Sequence, residues 1–379
     1  MIAVIADDFT GAAEIAGIGL RYTSSIKLIT NKVGDSDCDL LIVCTDSRSL
    51  NVENARRVTE QTVSALLKLN PEWIYKKTDS VLRGHVVEEL EIQMQLSGLE
   101  VALLLPANPS LQRTIKGGKY YVNDILIHET SFANDPEFAI TSADIKAMMR
   151  TENLAHAHVL KRTESIPSKG IAVCEVATNV DFRHWHNKIA SDCLFAGAGD
   201  FFDFLAEQYF DNKVESKRPA LHKPFLYVTG TTFARSTAFL DSIKKRSSIV
   251  HYLELKMLQH QVEEEWYRKV DDALHQEGKA IIAIENRNEQ NIDISALQIR
   301  TAMAKVVKQV IEKGKITELF IEGGSTAAAI LQELELSEFR PTHELSRGVV
   351  RMQAMQSGIF VTVKPGSYEL PALIKELFD

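Results

Sequence analysis

The 379-residue sequence has no basic run and no long apolar run. Its 43 Lys and Arg residues are outnumbered by 51 Asp and Glu residues, and the formal net charge is −8. A chain with mixed charges and this balance lacks the basic surface that holds nucleic acid or anionic lipid. No stretch approaches the roughly 20 apolar residues that span a bilayer. We therefore expect neither a nucleic-acid partner nor a membrane partner.

The amino terminus and the cysteines exclude further classes. The first residues, MIAVIADDFTGA, meet two aspartates after a short apolar stretch, which is not the pattern of a signal peptide or an anchor. We therefore expect a cytoplasmic protein. The four cysteines lack CxxC spacing, and no set of residues has the spacing of metal ligands, so neither a disulfide, a zinc site nor any metal-ligating residue is predicted.

The common phosphate-binding signatures are absent as well. The sequence contains no GxxxxGK[ST], and no GxGxxG follows a predicted strand. Residues 197–200, GAGD, match the anion-hole turn of ribokinase-like sugar kinases. They lie in mid-chain with a whole α/β domain after them, which is the wrong architecture for that family. We interpret this tetrapeptide as a turn between domains.

What the chain does contain is a regular alternation of short apolar runs and helix-compatible stretches, which is typical of buried parallel sheets with helical crossovers. Strands are predicted at 2–6, 39–44, 73–77, 101–105, 170–176, 192–196, 225–229, 249–255, 280–284, 318–322 and 358–363. Helices are predicted at 51–69, 81–97, 232–245, 260–276, 295–313 and 325–334. The segment 106–142 reads as a long loop carrying a hairpin over the end of the sheet.

This rhythm predicts an α/β protein of two doubly wound, three-layer α/β/α domains with mostly parallel sheets. A charged stretch at 211–223 precedes a fresh strand, so we place the domains at 1–215 and 216–379. In open parallel sheets ligands lie at the carboxyl ends of the strands. The residues that follow each predicted strand are therefore the candidates for chemistry.

Two adjacent aspartates, Asp7 and Asp8, follow the first strand and open a helix. One of them can be the helix N-cap. The other is then free to orient a substrate hydroxyl, to accept its proton or to help position Mg²⁺. Asp8 is our first candidate for a carboxylate that receives or steers the proton of the attacking hydroxyl, and Asp79, at a neighbouring strand end, is the second.

Lys76 lies near the end of the third predicted strand, and Asp79 and Ser80 follow that strand. We expect Arg83 to lie in the first turn of the helix that comes next. Asp79 or Ser80 can cap that helix. A helix N-terminus with an arginine, a hydroxyl and a lysine makes an anion site that suits a carboxylate. Arg48, after the second strand, supplies a further polar group at the same edge, unless it is a solvated surface residue.

In the second half, three strand ends are rich in glycine and hydroxyl groups. One of them, Gly323, Gly324, Ser325, Thr326, leads from a strand into a helix, and the others contain Thr231 and Gly366. Glycines permit close approach of the backbone, and helix amides suit a phosphate. Any one of these turns is explained equally well by a tight strand-to-helix connection. Together they predict a nucleotide cleft.

Six segments in combination resemble the four-carbon acid-sugar kinase family over nearly the full chain. They are ADDFTGAAEIA at 6–16, TDSR at 45–48, KKTDSVLRGHV at 76–86, PANPSLQR at 106–113, EGGSTAAAIL at 322–331 and VKPGSY at 363–368. The resemblance implies an enzyme that uses ATP and Mg²⁺ to phosphorylate the terminal hydroxyl of threonate, erythronate or 3-oxo-tetronate. It also implies an N-terminal domain that binds the sugar acid and a C-terminal domain that binds ATP.

The resemblance also implies which residues bind each substrate. At the sugar acid it places Asp8, Lys76, Asp79, Ser80, Arg83 and Arg113, and at the nucleotide it places Gly323, Gly324, Ser325, Thr326, Gly366 and the region of Thr231. The chain departs from the family pattern at Gln112, where the family has Gly, and at Ser325, where it usually has an acidic or similar residue. It also carries Tyr368 and Glu369 where the family has Phe-Gly.

Two other classes share parts of this pattern. The DDFTG start faintly resembles the nucleophile motif of haloacid dehalogenase-type phosphatases, but Phe9 stands where that motif, read from Asp7, needs an aspartate. A non-catalytic protein that binds an acid sugar or nucleotide in the same cleft would use the same residues, so it remains the alternative to a kinase. The expected partners are an acid sugar and ATP, and a homodimer is compatible with the sequence.

Overall fold

A computed structural model describes residues 1–30, 33–34, 36–135, 138–149, 156–190, 192–211, 213–214, 218–231, 233–254, 257, 262–284 and 294–379. The chain divides into two compact units, Met1–Val214 and Glu215–Asp379. The predicted boundary between residues 215 and 216, residue 255 of one predicted strand and residues 260–261 of one predicted helix lie outside the described residues.

Unit 1 is built on a parallel sheet with the strand order β2-β3-β1-β4-β11-β5-β10-β9. A separate three-stranded antiparallel sheet, β6-β7-β8, forms the predicted hairpin region. The strands are β1 (Ile2–Ala6), β2 (Ile26–Ile29), β3 (Leu40–Cys44), β4 (Ile74–Lys77), β5 (Val101–Leu105), β6 (Arg113–Lys116), β7 (Lys119–Val122), β8 (Ile125–Leu126), β9 (Ala157–Leu160), β10 (Gly170–Cys174) and β11 (Leu194–Gly197). The helices are α1 (Phe9–Gly19), α2 (Val52–Leu67), α3 (Val86–Ser97), α4 (Ile145–Met148), α5 (Val180–His186) and α6 (Gly199–Tyr209).

Unit 2 has the strand order β13-β14-β12-β15-β18-β17-β16, in which β16 and β17 run antiparallel to their neighbours and the other pairs are parallel. The strands are β12 (Phe225–Thr229), β13 (Val250–Leu253), β14 (Lys279–Ile284), β15 (Glu318–Glu322), β16 (Glu338–Ser346), β17 (Val349–Ala354) and β18 (Phe360–Lys364). The helices are α7 (Ala234–Lys244), α8 (Glu264–Glu277), α9 (Ala296–Gly314), α10 (Gly324–Glu333) and α11 (Ala372–Phe378).

Both sheets have the doubly wound topology that the sequence predicts. In unit 1, β1 pairs with β3 on one side and with β4 on the other, and in unit 2, β12 pairs with β14 and β15. The central strands are buried along their whole length. A parallel strand that is covered on both faces has no side in contact with water, which is why such strands are continuous apolar runs in the sequence. The predicted fold class is therefore confirmed.

Several details differ from prediction. The GAGD tetrapeptide is not a turn between domains, because Gly197 ends β11 and Gly199 begins α6 inside unit 1. The parallel strands β2 and β9 and the antiparallel strands β16 and β17 were not predicted as strands. In the part of the chain that the structure describes, every helix is too short or too polar to cross a bilayer.

Candidate functional site

The candidate site of unit 1 lies where the direction of strand winding reverses. Because β1 lies between β3 and β4 in register, Ala6 lies opposite Cys44 on one side and Lys77 on the other. The residues that follow these three strands therefore meet at one sheet edge. Such a switch point is the usual ligand site of an open α/β sheet.

Asp8 is the N-cap of α1, and Asp7 is held by an arginine. Asp8 accepts a hydrogen bond from the Gly11 amide at 3.0 Å and another from the Thr10 hydroxyl. Arg48 donates through Nε and Nη2 to the two oxygens of Asp7, at 2.8 and 2.9 Å, and through Nη2 to Asp8 at 2.7 Å. Arg48 is thus a mostly buried cation that bridges two carboxylates, and not a solvated surface residue.

The two aspartates differ in electrostatics. Burial raises the pKa of Asp7 above its usual value, although Arg48 acts in the opposite direction. Burial also disfavours the charged form of Asp8, but the charges of Arg48 and Lys77 and the Thr10 hydrogen bond outweigh it, so the pKa of Asp8 is lowered. Asp8 is also the more accessible, with 15% of its side chain exposed against 4% for Asp7. Asp8 is therefore ionised and reachable at neutral pH.

Arg83 does not lie in a helix, contrary to the prediction. Leu82 and Gly84 have φ angles of 60° and 86°, which a right-handed helix cannot contain, so the helix begins only at Val86. The resulting loop brings the Arg83 guanidinium onto Asp79, with Nε–Oδ2 at 2.8 Å and Nη2–Oδ1 at 2.9 Å. Burial works against ionisation of Asp79, but Arg83 and Arg48 outweigh it and hold its pKa well below the usual value.

Arg113, at the start of β6, reaches the same region from the segment PANPSLQR at 106–113, which we call the proline loop. Its Nη1 donates to the Ser80 hydroxyl at 2.6 Å, and its guanidinium lies 5.3 Å from the centre of the Phe132 ring. Among the described residues Arg113 forms no ion pair with a carboxylate. The preceding residue, Gln112, has a φ of 57°, in the left-handed region that favours glycine, which explains why glycine suits this position.

The two lysines of β4 point to opposite faces of the sheet, as adjacent residues of a strand must. The ammonium group of Lys76 is buried and paired with Glu89 of α3 at 2.5 Å. Lys77 is paired with Glu14 of α1 at 3.1 Å and lies near Asp8. The structure therefore brings Lys77, which we did not select from the sequence, to the Asp8 face.

A buried polar network anchors the proline loop. Asp200, at the start of α6, accepts hydrogen bonds from the amide and hydroxyl of Ser110 at 2.9 and 2.8 Å, and its own amide donates to the Asn108 side chain at 2.9 Å. Asn108 in turn approaches Glu14 at 3.4 Å. The GAGD turn thus supports the loop that presents Arg113. Asp200, Ser110 and Asn108 lie in segments that the sequence analysis quotes, but nothing in those segments indicated that the three residues would contact one another.

In unit 2 three strand ends converge as predicted from the doubly wound pattern. The Gly323 amide donates to the Lys364 carbonyl at 2.9 Å, and Gly324 begins α10. A side chain on Gly230 would collide with the Thr326 hydroxyl, and one on Gly366 would lie 3.1 Å from the Thr231 hydroxyl. Gly323, Gly324, Thr326, Thr231 and Gly366 therefore line one edge, with Ser325 exposed beside them. Thr232 lies outside the described residues.

A buried ion pair supports this edge. Lys364 lies 2.7 Å from Glu322 and donates to the carbonyls of Pro365 at 2.9 Å and Tyr368 at 2.6 Å. Glu322 also accepts from the hydroxyls of Tyr227 and Ser236. Burial lowers the pKa of Lys364 despite the opposing effect of Glu322. The lysine therefore fixes the turn that contains Gly366.

Clusters of three or more His, Cys, Asp or Glu side chains that could hold a metal ion are absent from the described residues. What the geometry offers instead is an arginine-rich anion site beside an ionised aspartate in unit 1, and a glycine-lined helix N-terminus in unit 2. The first suits a carboxylate and a hydroxyl, and the second suits a phosphate.

Comparison with known families agrees with this division. The sequence model of a sugar-binding N-terminal domain matches residues 2–237, and that of a nucleotide-binding C-terminal domain matches residues 226–368. The chain belongs to the four-carbon acid-sugar kinase family. Members of this family are therefore the relevant relatives.

Three curated relatives match across most of their own length. The chain is 25% identical to a D-threonate kinase of Salmonella typhimurium, over 90% of this chain and 88% of that protein. It is 24% identical to a 3-oxo-tetronate kinase of Haemophilus influenzae, over 97% of both chains. It is also 24% identical to a D-erythronate kinase of Heliobacterium modesticaldum, over 89% of this chain and 86% of that protein. The relatives thus act on three different acids.

Solved structures share the fold. A Haemophilus influenzae protein matches with a TM-score of 0.75 at 18% identity, covering 99% of this chain and 98% of that one. A Salmonella typhimurium protein matches with a TM-score of 0.78 at 17% identity, covering 100% and 97%. At these identities the structural likeness establishes the fold of this chain and nothing about its activity.

Proposed function

We propose that the protein is an ATP-dependent kinase that phosphorylates the terminal hydroxyl of a four-carbon acid sugar such as threonate, erythronate or 3-oxo-tetronate. The observation that carries the proposal is the combination, at one switch point, of an arginine without an ion-pair partner among the described residues and an ionised aspartate. A carboxylate and a hydroxyl are the two groups that such a pair recognises.

Arg113 is our candidate anchor for the substrate carboxylate. Arg48 and Arg83 are already neutralised by Asp7, Asp8 and Asp79, whereas the hydrogen-bond partner of Arg113 among the described residues is a neutral hydroxyl, that of Ser80. A guanidinium in this state can form a bidentate, charge-assisted pair with a ligand. Lys76 stays a predicted substrate-binding residue, but its pairing with Glu89 favours a supporting role.

In the proposed reaction, the terminal hydroxyl oxygen attacks the γ-phosphorus of ATP while the bond to the bridging oxygen breaks and ADP leaves. Asp8 orients the hydroxyl and takes its proton, with Asp79 as the second candidate. The nucleotide phosphates are assigned to the amides at the start of α10, with Thr231, Ser325, Thr326 and Gly366 around them.

Mg²⁺, bound to the nucleotide phosphates, would neutralise their charge during transfer. Within unit 1, Oδ2 of Asp8 is the oxygen best suited to take the hydroxyl proton, since among the described residues it accepts only the Thr10 hydroxyl. Oδ1 of Asp8 is already shared by Gly11 and Arg48.

A screen for ADP release tests the proposal, with the purified protein, ATP, Mg²⁺ and a panel of threonate, erythronate, 3-oxo-tetronates and longer sugar acids. We expect turnover with a four-carbon acid and its loss in Arg113→Met. Arg162→Met, which removes an arginine with 57% of its side chain exposed, is the matched control and should keep full turnover. Tight binding of an acid with no ADP release from any member of the panel would instead favour a non-catalytic binding protein.

A further inference from the structure

Phe233 is an exposed aromatic residue at the edge of unit 2 that we assign to the nucleotide. It lies just after β12, at the N-cap position of α7, and 47% of the residue is exposed. Among the described residues no other aromatic ring pairs with it and no cation lies over it. The ring therefore presents an open face to a ligand.

The Phe233 ring packs against two residues of the nucleotide edge. A side-chain carbon added to Gly366 would lie 3.0 Å from Cε2 and 3.2 Å from Cδ2 of the ring, and 3.1 Å from the Thr231 hydroxyl. The Phe233 amide also donates to that hydroxyl at 3.4 Å. Glycine at position 366 permits this close contact, because a β-carbon would meet both groups.

The contact between Phe233 and Gly366 spans the start of α10. In the sheet, β15 lies between β12 and β18, and the Gly323 amide at its end donates to the Lys364 carbonyl at 2.9 Å. Phe233 follows β12 and Gly366 follows β18, so they meet across the turn that leads from β15 into α10. The exposed ring thus lies beside the helix amides that we assign to the phosphates.

The backbone that carries the ring is held from inside the unit. The Phe233 carbonyl accepts the Ser236 amide at 2.9 Å, and the Ser236 hydroxyl donates to Glu322 at 2.5 Å. Glu322 is the carboxylate that pairs with Lys364, which also donates to the turn containing Gly366. Both sides of the ring contact are therefore tied to one buried ion pair, and a ligand would have little left to order on binding.

We propose that Phe233 is the stacking platform for the base of the bound nucleotide. This inference rests on the proposed function, because it concerns the ATP that the same edge binds. A flat aromatic face stacks on a nucleobase through its π surface and through the apolar area that both remove from water. In this arrangement the amides of α10 hold the phosphates, whereas Phe233 holds the base.

Titration calorimetry on the full chain, with ATP and with inorganic tripolyphosphate in the presence of Mg²⁺, tests this division. Phe233→Ala should weaken ATP binding by about tenfold or more, since stacking is lost. Tripolyphosphate has no base, so its affinity should change by less than about threefold. Phe233→Leu keeps an apolar side chain against Gly366 but has no flat face, and it should weaken ATP binding by about fivefold or more.

Tryptophan fluorescence gives a second readout that a purely structural role would not change. Phe233→Trp should keep the ATP affinity, and the emission of the added indole should fall when ATP saturates the protein, because the base stacks on it. Leu297→Trp is the matched control, since Leu297 is 59% exposed and belongs to α9 of the same unit. The emission added by that variant should not respond to ATP.

Four results would overturn the inference and leave the proposed function standing. They are an unchanged ATP affinity in Phe233→Ala, equal losses for ATP and tripolyphosphate in that variant, full ATP affinity in Phe233→Leu, and unaltered emission of Phe233→Trp with ATP bound. The second and third would show that the ring only packs against the turn. If the unchanged protein binds no ATP, both the proposed function and this inference fail.

Discussion

Replacing Arg48 by methionine tests the electrostatic core of the unit 1 site. Methionine preserves the apolar stem but removes the guanidinium that donates to Asp7 and Asp8 at 2.7 to 2.9 Å. Only 12% of the Arg48 side chain is exposed, and the exposed fractions of the Asp7 and Asp8 side chains are 4% and 15%. The variant therefore leaves two neighbouring carboxylates buried without their shared cation.

The expected loss of stability follows from this burial. Removing one partner of a buried ion pair costs about 3–5 kcal/mol, because the remaining charge is desolvated and uncompensated. Exposed ion pairs contribute only about 0–1 kcal/mol. Arg48→Met should therefore lower the free energy of unfolding by about 3–5 kcal/mol at neutral pH, which is a large share of the total for a typical domain.

The effect should depend on pH, and its sign follows from the two aspartates. Arg48 lowers the pKa of both Asp7 and Asp8, against the effect of burial. Without it the pKa of Asp7 rises further above that of the unfolded chain and the pKa of Asp8 rises as well, so the folded variant holds protons to higher pH than the folded parent does. Stability of the variant then falls as the pH rises through those raised values. The loss should be greater at pH 7.5 than at pH 5.

Urea denaturation at both pH values provides the measurement. Arg162→Met is again the control, since it breaks an ion pair with Asp181 whose arginine is 57% exposed, and it should cost less than about 1 kcal/mol. Arg48→Lys keeps a cation without the bidentate geometry and should fall between the two. A loss below about 1 kcal/mol in Arg48→Met, or equal losses at the two pH values, would refute the reasoning.

Three further predictions concern catalysis and the nucleotide edge. Asp8→Asn keeps the size of the side chain but removes the base, so turnover in the ADP-release assay should fall by about 10²–10⁴ while calorimetry still detects both ligands. Gly324→Val should weaken ATP binding and spare acid binding, and an unchanged ATP affinity would place the phosphates elsewhere. Lys364→Met should destabilise unit 2 by about 3–5 kcal/mol by leaving Glu322 unpaired. Adding Glu322→Gln should restore much of that stability, but not the nucleotide affinity that depends on the turn at Gly366.

The fold was readable from the sequence because its main strands are buried on both faces. Runs such as IAVIA at Ile2–Ala6 and VALLL at Val101–Leu105 are apolar at every position, so their limits coincide with the strands. The strand β16 contains proline, histidine and two glutamates and is only partly buried. Without apolar continuity or clean alternation, its pattern carries no strand signal.

The candidate site was readable in part, for a related reason. A strand end can be located in sequence, and topology then places Asp8, Arg48 and Asp79 at one edge. Which charges pair depends on the conformation of the loops. Leu82 has a positive φ, and because leucine rarely adopts such an angle, the sequence gives no indication of it. The sequence therefore indicates the members of the cluster but not that Asp135, 52 residues after Arg83, joins it.

Buried lysine–carboxylate pairs lie beneath the strand ends in both units, Lys77 with Glu14 in one and Lys364 with Glu322 in the other. Such a pair is often no more stabilising than apolar residues of the same volume, so stability alone does not account for its presence. Each lysine also donates to the backbone just beyond its strand, Lys77 to the Thr78 carbonyl and Lys364 to that of Pro365. An apolar replacement would lose those bonds and leave the turns free to move. The charges inside each unit therefore maintain the geometry of the loops that form the two candidate sites, which is why Lys364→Met with Glu322→Gln should separate stability from nucleotide binding.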